Sequence, residues 1–462
     1  MPRAFGSSMK YKSIEGSVVA ARGFLTAGVF CDIKRLGTGK GSDKGRKRDL
    51  TLIVSEVPAS VAGLFTTNQV CAAPVKLCVE RVKTGQAQAI VVNSGNANAC
   101  TGRQGMADAK AMTAAVAAEL RLPVDQVLVG STGRIGVLMP MDNVLEGIHQ
   151  VSGLLGDAPE HGDEAAEAIM TSDSRPKKIA VEFKLGGKTV RLGGICKGAG
   201  MIQPGMSPTG QRPASVPAGL HATMLCFLTT DAAIASGALR AALQEAVAKS
   251  FNRITVDGDM STNDTVLVLA NGLAENDEVP EAAAKAVRAG KAHARAKDFE
   301  AFEAALSHVC LELAKMIVRD GEGVNRVVTV RVSGARTAAD ADAAARAVAN
   351  SALVKTSWHG GDPNWGRIID ALGYSPATIV EDKVDIGYSA SGAKKVLWSL
   401  KGGQPTKATF KALCEAVAPK EFDLHIRLNL GEGEAIMYAA DLTEDYVDFN
   451  KGNVADPTTL GG

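Results

Sequence analysis

Three glycine-rich corners stand out as places where this chain could do chemistry: Asn93-Ser94-Gly95-Asn96, Gly130-Ser131-Thr132-Gly133 and Lys197-Gly198-Ala199-Gly200. Each follows a strand-like segment. Corners of this kind expose consecutive backbone N–H groups, which cradle an anion or the oxyanion that develops during acyl transfer. Singly, each reads first as a turn. A fourth feature gives them direction. In Gly219–Asp231 a proline- and glycine-rich loop gives way to an apolar strand at Ala222-Thr223. A threonine opening a strand is ordinarily structural, because β-branched side chains suit strands. If the chain is cut before it, however, Thr223 carries its own base, an α-amine of pKa ~7.7–8.0 beside its hydroxyl.

Other patterns lead nowhere catalytic. Asp257-Gly-Asp-Met-Ser-Thr-Asn-Asp264 spaces its oxygens like a calcium loop, but Thr262 stands where that loop needs glycine and Val268 where it needs glutamate. A side-chain-capped turn is the better reading. Between Ile33 and Leu50, Lys40 sits in a basic glycine-rich stretch without the following Ser/Thr of a phosphate loop, which reads as an exposed hairpin tip. The seven histidines have no metal-ligand spacing, and no nucleophile elbow of the G-x-S-x-G type is present. The eight cysteines form no C-x-x-C pair and read as buried, reduced thiols. No metal and no cofactor are expected.

The elements that must position these corners read as α/β. Leu50–Val54, Ala89–Val92 and Gln126–Val129 are strand-like, and Gly186-Gly187 joins the strands Ala180–Leu185 and Thr189–Leu192 as a hairpin. Helical patterns cover Gln104–Leu120, Met141–Leu155, Asp163–Met170, Ser236–Phe251, Phe299–Val318 and Ala338–Val354. Strands and helices alternate throughout. The charged, alanine-rich stretch Asn276–Ala296 divides a first domain, 1–275, from a second, 276–462. The chain of 462 residues is 46% hydrophobic and 22% charged with a net charge of +1, which points to neither nucleic acid nor an anionic membrane. No apolar run approaches the ~20 residues of a membrane helix, and the amino terminus lacks the apolar core of a signal peptide. A cytoplasmic protein is expected.

Five strings in order carry a resemblance: V-V-N-S-G-N-A-N-A-C-T-G, G-S-T-G-R-I-G, K-G-A-G-M-I followed by A-T-M-L-C-F-L-T-T-D-A, F-N-R-I-T-V-D-G-D-M-S-T-N-D-T, and D-P-N-W-G-R-I. From about Ser17 to Asn450 the chain resembles the self-cleaving glutamate N-acetyltransferases, the ornithine acetyltransferases of arginine biosynthesis. That resemblance implies a layered αββα sandwich with a smaller C-terminal α/β domain. It implies cleavage between Ala222 and Thr223 into an α chain (1–222) and a β chain (223–462), two of each forming an α2β2 heterotetramer. Thr223 is then the nucleophile that carries acetyl from N2-acetylornithine to glutamate, with acetyl-CoA as a second candidate donor. Thr132 and Gly133 fall at the oxyanion positions, and Thr171, Lys197, Thr223, Glu322 and Asn450 at the substrate-binding positions. A related N-terminal-nucleophile hydrolase, in which water takes the acyl group, is the alternative. The chain departs from the family in an inserted stretch before the seam, in Leu220-His221 where the family has Asn-Met, and in Ala455 where it has a threonine.

Overall fold

The computed structural model describes residues 11–34, 47–211 and 224–451. Ala222, Thr223, Ala455 and the tip of the basic loop lie outside the described residues. Ten strands run through the first part of the chain: β1 (Lys12–Ser13), β2 (Phe24–Val29), β3 (Leu50–Phe65), β4 (Gln86–Asn96), β5 (Val127–Arg134), β6 (Lys177–Leu185), β7 (Lys188–Lys197), β8 (Leu225–Thr230), β9 (Ile254–Thr255) and β10 (Thr265–Ala270). All but β9 are linked in the order β1-β6-β7-β8-β10-β3-β4-β5, with β2 also on β3.

Strand β3 makes this path continuous. Its first residues pair with β2 and β4, whereas Ser60–Phe65 pair with β10. Between those stretches, at Val54/Ala59, the register slips past Pro58, which has no N–H to give a ladder. Such a bulge bends and twists a strand. The two halves of the path therefore stack. Side chains of β8 alternate accordingly: Leu225 and Phe227 pack with Ile90, Val92 and Phe65, while Cys226 and Leu228 face the helices Ser236–Ala248 and Ala296–Arg319. The approach is close. A Cβ added to Gly130 on β5 would meet the Phe227 ring at 2.9 Å. The opposite outer layer holds the helices Ala73–Arg81, Gly102–Leu120 and Met141–Ser152. The result is the expected αββα sandwich.

A second sheet follows from β11 (Val327–Ala335), β12 (Asp385–Ala390), β13 (Leu397–Lys401), β14 (Gln404–Pro405), β15 (Glu421–Arg427) and β16 (Gly433–Ala440), in the order β14-β13-β12-β15-β11-β16-β9. It has its own core around Val330, Ile386, Leu424 and Trp358. Two elements cross the 275/276 division drawn on the sequence. Strand β9 pairs with β16, and the helix Ala296–Arg319 packs on β6 and β7.

Several sequence readings recur closely. Gly186 and Gly187 have φ of 56° and 82°, as a two-residue hairpin turn requires. The single helix expected over Ala338–Val354 is instead two, Ala338–Asn350 and Ala352–His359. Ser351 is extended at ψ 115° and its side chain accepts the Val354 N–H, capping a new start. The helix Ala73–Arg81, not among the helical patterns read from the sequence, has a short apolar face and carries Pro74 in its first turn. At the first turn, proline is tolerated.

Candidate active site

Two of the three corners are neighbours. Strands β4 and β5 run parallel, with Ser94 beside Thr132 and Gly95 beside Gly133. Gly133 has φ 132°, and a Cβ there would lie 2.2 Å from the Gly95 carbonyl carbon, so only glycine fits. Side chains tie the corners together. Ser131 Oγ donates to Asn93 Oδ1 at 2.6 Å, and Asn93 Nδ2 donates to the Asn96 carbonyl at 2.9 Å. Thr132 is buried, and its Oγ1 has no hydrogen-bond partner among the described residues.

The third corner ends β7, where Lys197 pairs in register with Leu225 at the start of β8. Lys197 is 2% exposed; its Nζ donates to Thr171 Oγ1 at 2.7 Å and lies 3.8 Å from Asp173. Asp173 accepts from Thr171 N at 3.0 Å, Gly198 N at 2.7 Å and Lys177 Nζ at 2.5 Å. Lys177 bridges in turn to Asp320 at 2.5 Å. Burial alone would raise the Asp173 carboxyl. Lys197, Lys177 and the Gly198 N–H outweigh it and hold Asp173 far below the usual carboxylate range. For Lys177, burial works against the charge, but Asp173 and Asp320 prevail and its ammonium is held above the usual lysine value. For Lys197 burial wins despite Asp173, and its pKa is lowered.

Glu322 and Asn450 close this side. The Glu322 N–H donates to Ala199 O at 2.9 Å, its carboxyl lies over Gly200, where a Cβ would meet it at 2.5 Å, and Asn450 Nδ2 donates to Glu322 Oε2 at 3.1 Å. Four of the residues that the resemblance assigns to substrate binding, Thr171, Lys197, Glu322 and Asn450, therefore gather around the third corner.

The loop before β10 spans the two halves. Asp264 Oδ1 accepts the N–H of Met224, the residue after Thr223, at 2.6 Å, and Asn263 Nδ2 donates to Ser131 O at 2.8 Å and Ala97 O at 2.6 Å. Asp264 is fully buried, and its carboxyl is pushed well above its ordinary value by that burial, with Met224 N–H and Lys197 opposing. On its own residues this segment reads as a capped turn, and it also stands in one of the strings that carry the resemblance. Asp257 does cap: its oxygens accept Met201 N at 2.6 Å, Ile202 N at 2.8 Å and Asp259 N at 3.2 Å. Asp173, Lys177 and Asp320, which support this pocket, were not singled out from the sequence, because buried charge pairing between distant segments is invisible to spacing. Among the described residues, no three His, Cys, Asp or Glu side chains are grouped to hold a metal ion, and no helix is long and apolar enough to cross a membrane.

Residues 28–452 match the ArgJ family. The chain is 46% identical over 437 residues to the arginine biosynthesis bifunctional protein ArgJ of Symbiobacterium thermophilum, covering 95% of this chain and 98% of the relative. It is 44% identical over 443 residues to a glutamate N-acetyltransferase of Methanocaldococcus jannaschii, covering 95% and 98%. Among solved structures, an ornithine acetyltransferase complexed with ornithine from Mycobacterium tuberculosis is 39% identical, covering 43% of this chain and 100% of that one at a TM-score of 0.38. The chain belongs to the ArgJ family. It is an acetyltransferase enzyme.

Proposed function

We propose that this enzyme transfers acetyl from N2-acetyl-L-ornithine to L-glutamate through an acetyl ester on Thr223, after cleaving its own Ala222–Thr223 bond. The observation that carries the reading is the seating of Met224: Asp264 holds its N–H, the next residue, Leu225, opens β8 in register with Lys197, and Asn263 ties the same loop to the Thr132–Gly133 corner. The described strand that begins just after Thr223 is thereby tied both to the Thr132–Gly133 corner and to the Lys197 pocket.

In the first reaction Thr223 Oγ attacks the Ala222 carbonyl carbon, the peptide C–N bond breaks, and the α-amine is freed as an ester forms. Water hydrolyses that ester to give chains 1–222 and 223–462. In turnover the α-amine accepts the Oγ proton as Oγ attacks the acetyl carbonyl. The oxyanion forms against the Thr132–Gly133 corner. The C–N bond of acetylornithine breaks and ornithine leaves carrying the proton. Glutamate's amine then attacks the ester carbonyl, and Oγ departs as the proton returns. Lys197 supplies a cation for the α-carboxylate both substrates share, and Glu322 with Asn450 receives the ammonium end. Acetyl-CoA is a second donor in this reading, and two α and two β chains assemble as a heterotetramer.

Intact mass and amino-terminal sequencing test the cleavage: the expected product is a β chain beginning Thr-Met-Leu. Thr223→Ala should abolish both cleavage and transfer, and an active Thr223→Ala enzyme would remove the nucleophile assignment. Free acetate formed as fast in the absence of glutamate as in its presence would make the enzyme a hydrolase instead.

A further inference from the structure

Among the buried polar groups outside the assigned site residues, adjacent Asn263 and Asp264 reach in opposite directions. Asn263 Nδ2 takes two carbonyls at once, Ala97 O at 2.6 Å just beyond β4 and Ser131 O at 2.8 Å on β5, the residue immediately before Thr132. Asp264 Oδ1 takes the Met224 N–H at 2.6 Å, while its Oδ2 is buried with no partner among the described residues. The dipeptide's own position is fixed from behind. Thr66 N donates to Asp264 O at 2.8 Å, Thr66 Oγ1 to Ser261 O at 2.7 Å, and Ala72 N to Thr262 O at 2.9 Å. Asn263 N is held by Ser261 Oγ at 2.9 Å, and Thr262 Oγ1 donates to Asn263 Oδ1 at 2.5 Å, which fixes the amide orientation. Both residues are at most 2% exposed.

We infer that Asn263 and Asp264 together are a positioning element of the acyl-transfer site, fixing the separation between the oxyanion corner and the residue that follows the nucleophile. The inference rests on the reading of Thr223 as nucleophile. Its physical content is geometric: the oxyanion donors sit on one half of the sandwich, the nucleophile's strand on the other, and attack requires the two to be set within a fraction of an ångström. A misplacement of about 1 Å costs about 10²-fold in rate. One rigid dipeptide clamped to both halves supplies that setting without touching substrate.

The test compares Asn263→Ala, Asp264→Ala and Asp264→Asn in the full chain, following cleavage by intact mass and transfer by steady-state kinetics, with thermal unfolding of each. The asparagine keeps an acceptor for Met224 N–H. Expected are a fall in kcat of about 10²-fold for both alanine variants with KM changed less than about threefold, and recovery of at least tenfold of that loss in Asp264→Asn. A role in folding alone would lower the melting temperature and leave the kcat of the folded fraction intact, and that result overturns the inference. Should the alanine variants fail to fold, Asn263→Ser decides in their place, since serine cannot reach both the Ala97 and Ser131 carbonyls: kcat within threefold of wild type overturns it, a fall confined to kcat upholds it. The two readings fail separately. An uncleaved, active wild type removes the nucleophile itself, whereas a cleaved wild type with an inactive Thr223→Ala and normal dipeptide variants removes only the positioning role.

Discussion

Two buried polar regions meet at the end of the sandwich, and they are built on opposite terms. In the floor, Asp173, Lys177 and Asp320 satisfy one another: each charge has an opposite charge at hydrogen-bond distance, and backbone N–H groups of Thr171, Ser174 and Gly198 fill remaining positions. In the rim, Thr132 Oγ1 and Asp264 Oδ2 are equally buried, and neither has a partner among the described residues. An unpartnered buried polar atom costs about 1–3 kcal/mol, so a fold does not accumulate them idly. A fully satisfied network rigidifies what it touches. The difference separates a self-satisfied support from groups left open: the floor fixes Lys197 and Thr171 through Asp173, and the rim leaves a hydroxyl and a carboxyl oxygen without a partner among the described residues.

Breaking the floor should have the largest effect on folding. Lys177→Met strips the cation from between two buried carboxylates and should cost about 3–5 kcal/mol, read as a large drop in urea midpoint. A drop below 1 kcal/mol would mean the carboxylates find other partners and the floor is not the support described. Thr132→Val does the reverse. It removes a buried hydroxyl and replaces it with a methyl of the same shape, so stability should hold or rise slightly, while transfer should fall by about 10²–10³ if that residue's hydroxyl stabilises the oxyanion. Unchanged kcat with normal cleavage would confine oxyanion binding to backbone N–H groups. Smaller again is Gly130→Ala, where the added methyl meets the Phe227 ring at 2.9 Å; about 1–3 kcal/mol of destabilisation is expected from the overpacking. Its effect on kcat should be slight unless the two halves of the sandwich shift relative to each other.

The glycine corners, the hairpin at Gly186-Gly187 and most helices were legible because turns and periodic apolar faces are local properties. Gly133 was legible as a corner, and its positive φ explains why a side chain is excluded there. The floor was not. Asp173 and Asp320 are 147 positions apart in the chain, and nothing in M-T-S-D-S-R-P-K or R-D-G-E-G says that both carboxylates share Lys177. Asn263 and Asp264 stand in one of the strings of the resemblance, yet their reach was not legible, because a run rich in Asp, Ser, Thr and Asn makes a good turn whether or not its side chains also reach across a sandwich. Nor did periodicity show that β3 bends to serve both halves; the bulge past Pro58 depends on which strands flank it.

The sharpest contrast between floor and rim is the sign of their response to pH. Asp173 has a folded-state pKa depressed below the unfolded value of about 3.9, so the unfolded chain binds more protons in that window and stability rises with pH through it. Its contribution is complete above about pH 4 and is lost as the pH falls towards the folded value. Asp264 is shifted the other way. With its folded pKa raised by burial, the folded protein holds the extra proton above about pH 3.9, and stability falls as pH rises through the raised value. Urea midpoints measured from pH 8 down to pH 4 should therefore separate the two. The gap between Asp264→Asn and wild type should move in the variant's favour as pH rises, because the asparagine has no proton to lose. The gap between Asp173→Asn and wild type should stay flat over that range, because Asp173 is already ionised throughout it. Two flat gaps would mean that Lys197 and the Met224 N–H hold Asp264 ionised as firmly as the floor holds Asp173, and the rim would then be a second floor.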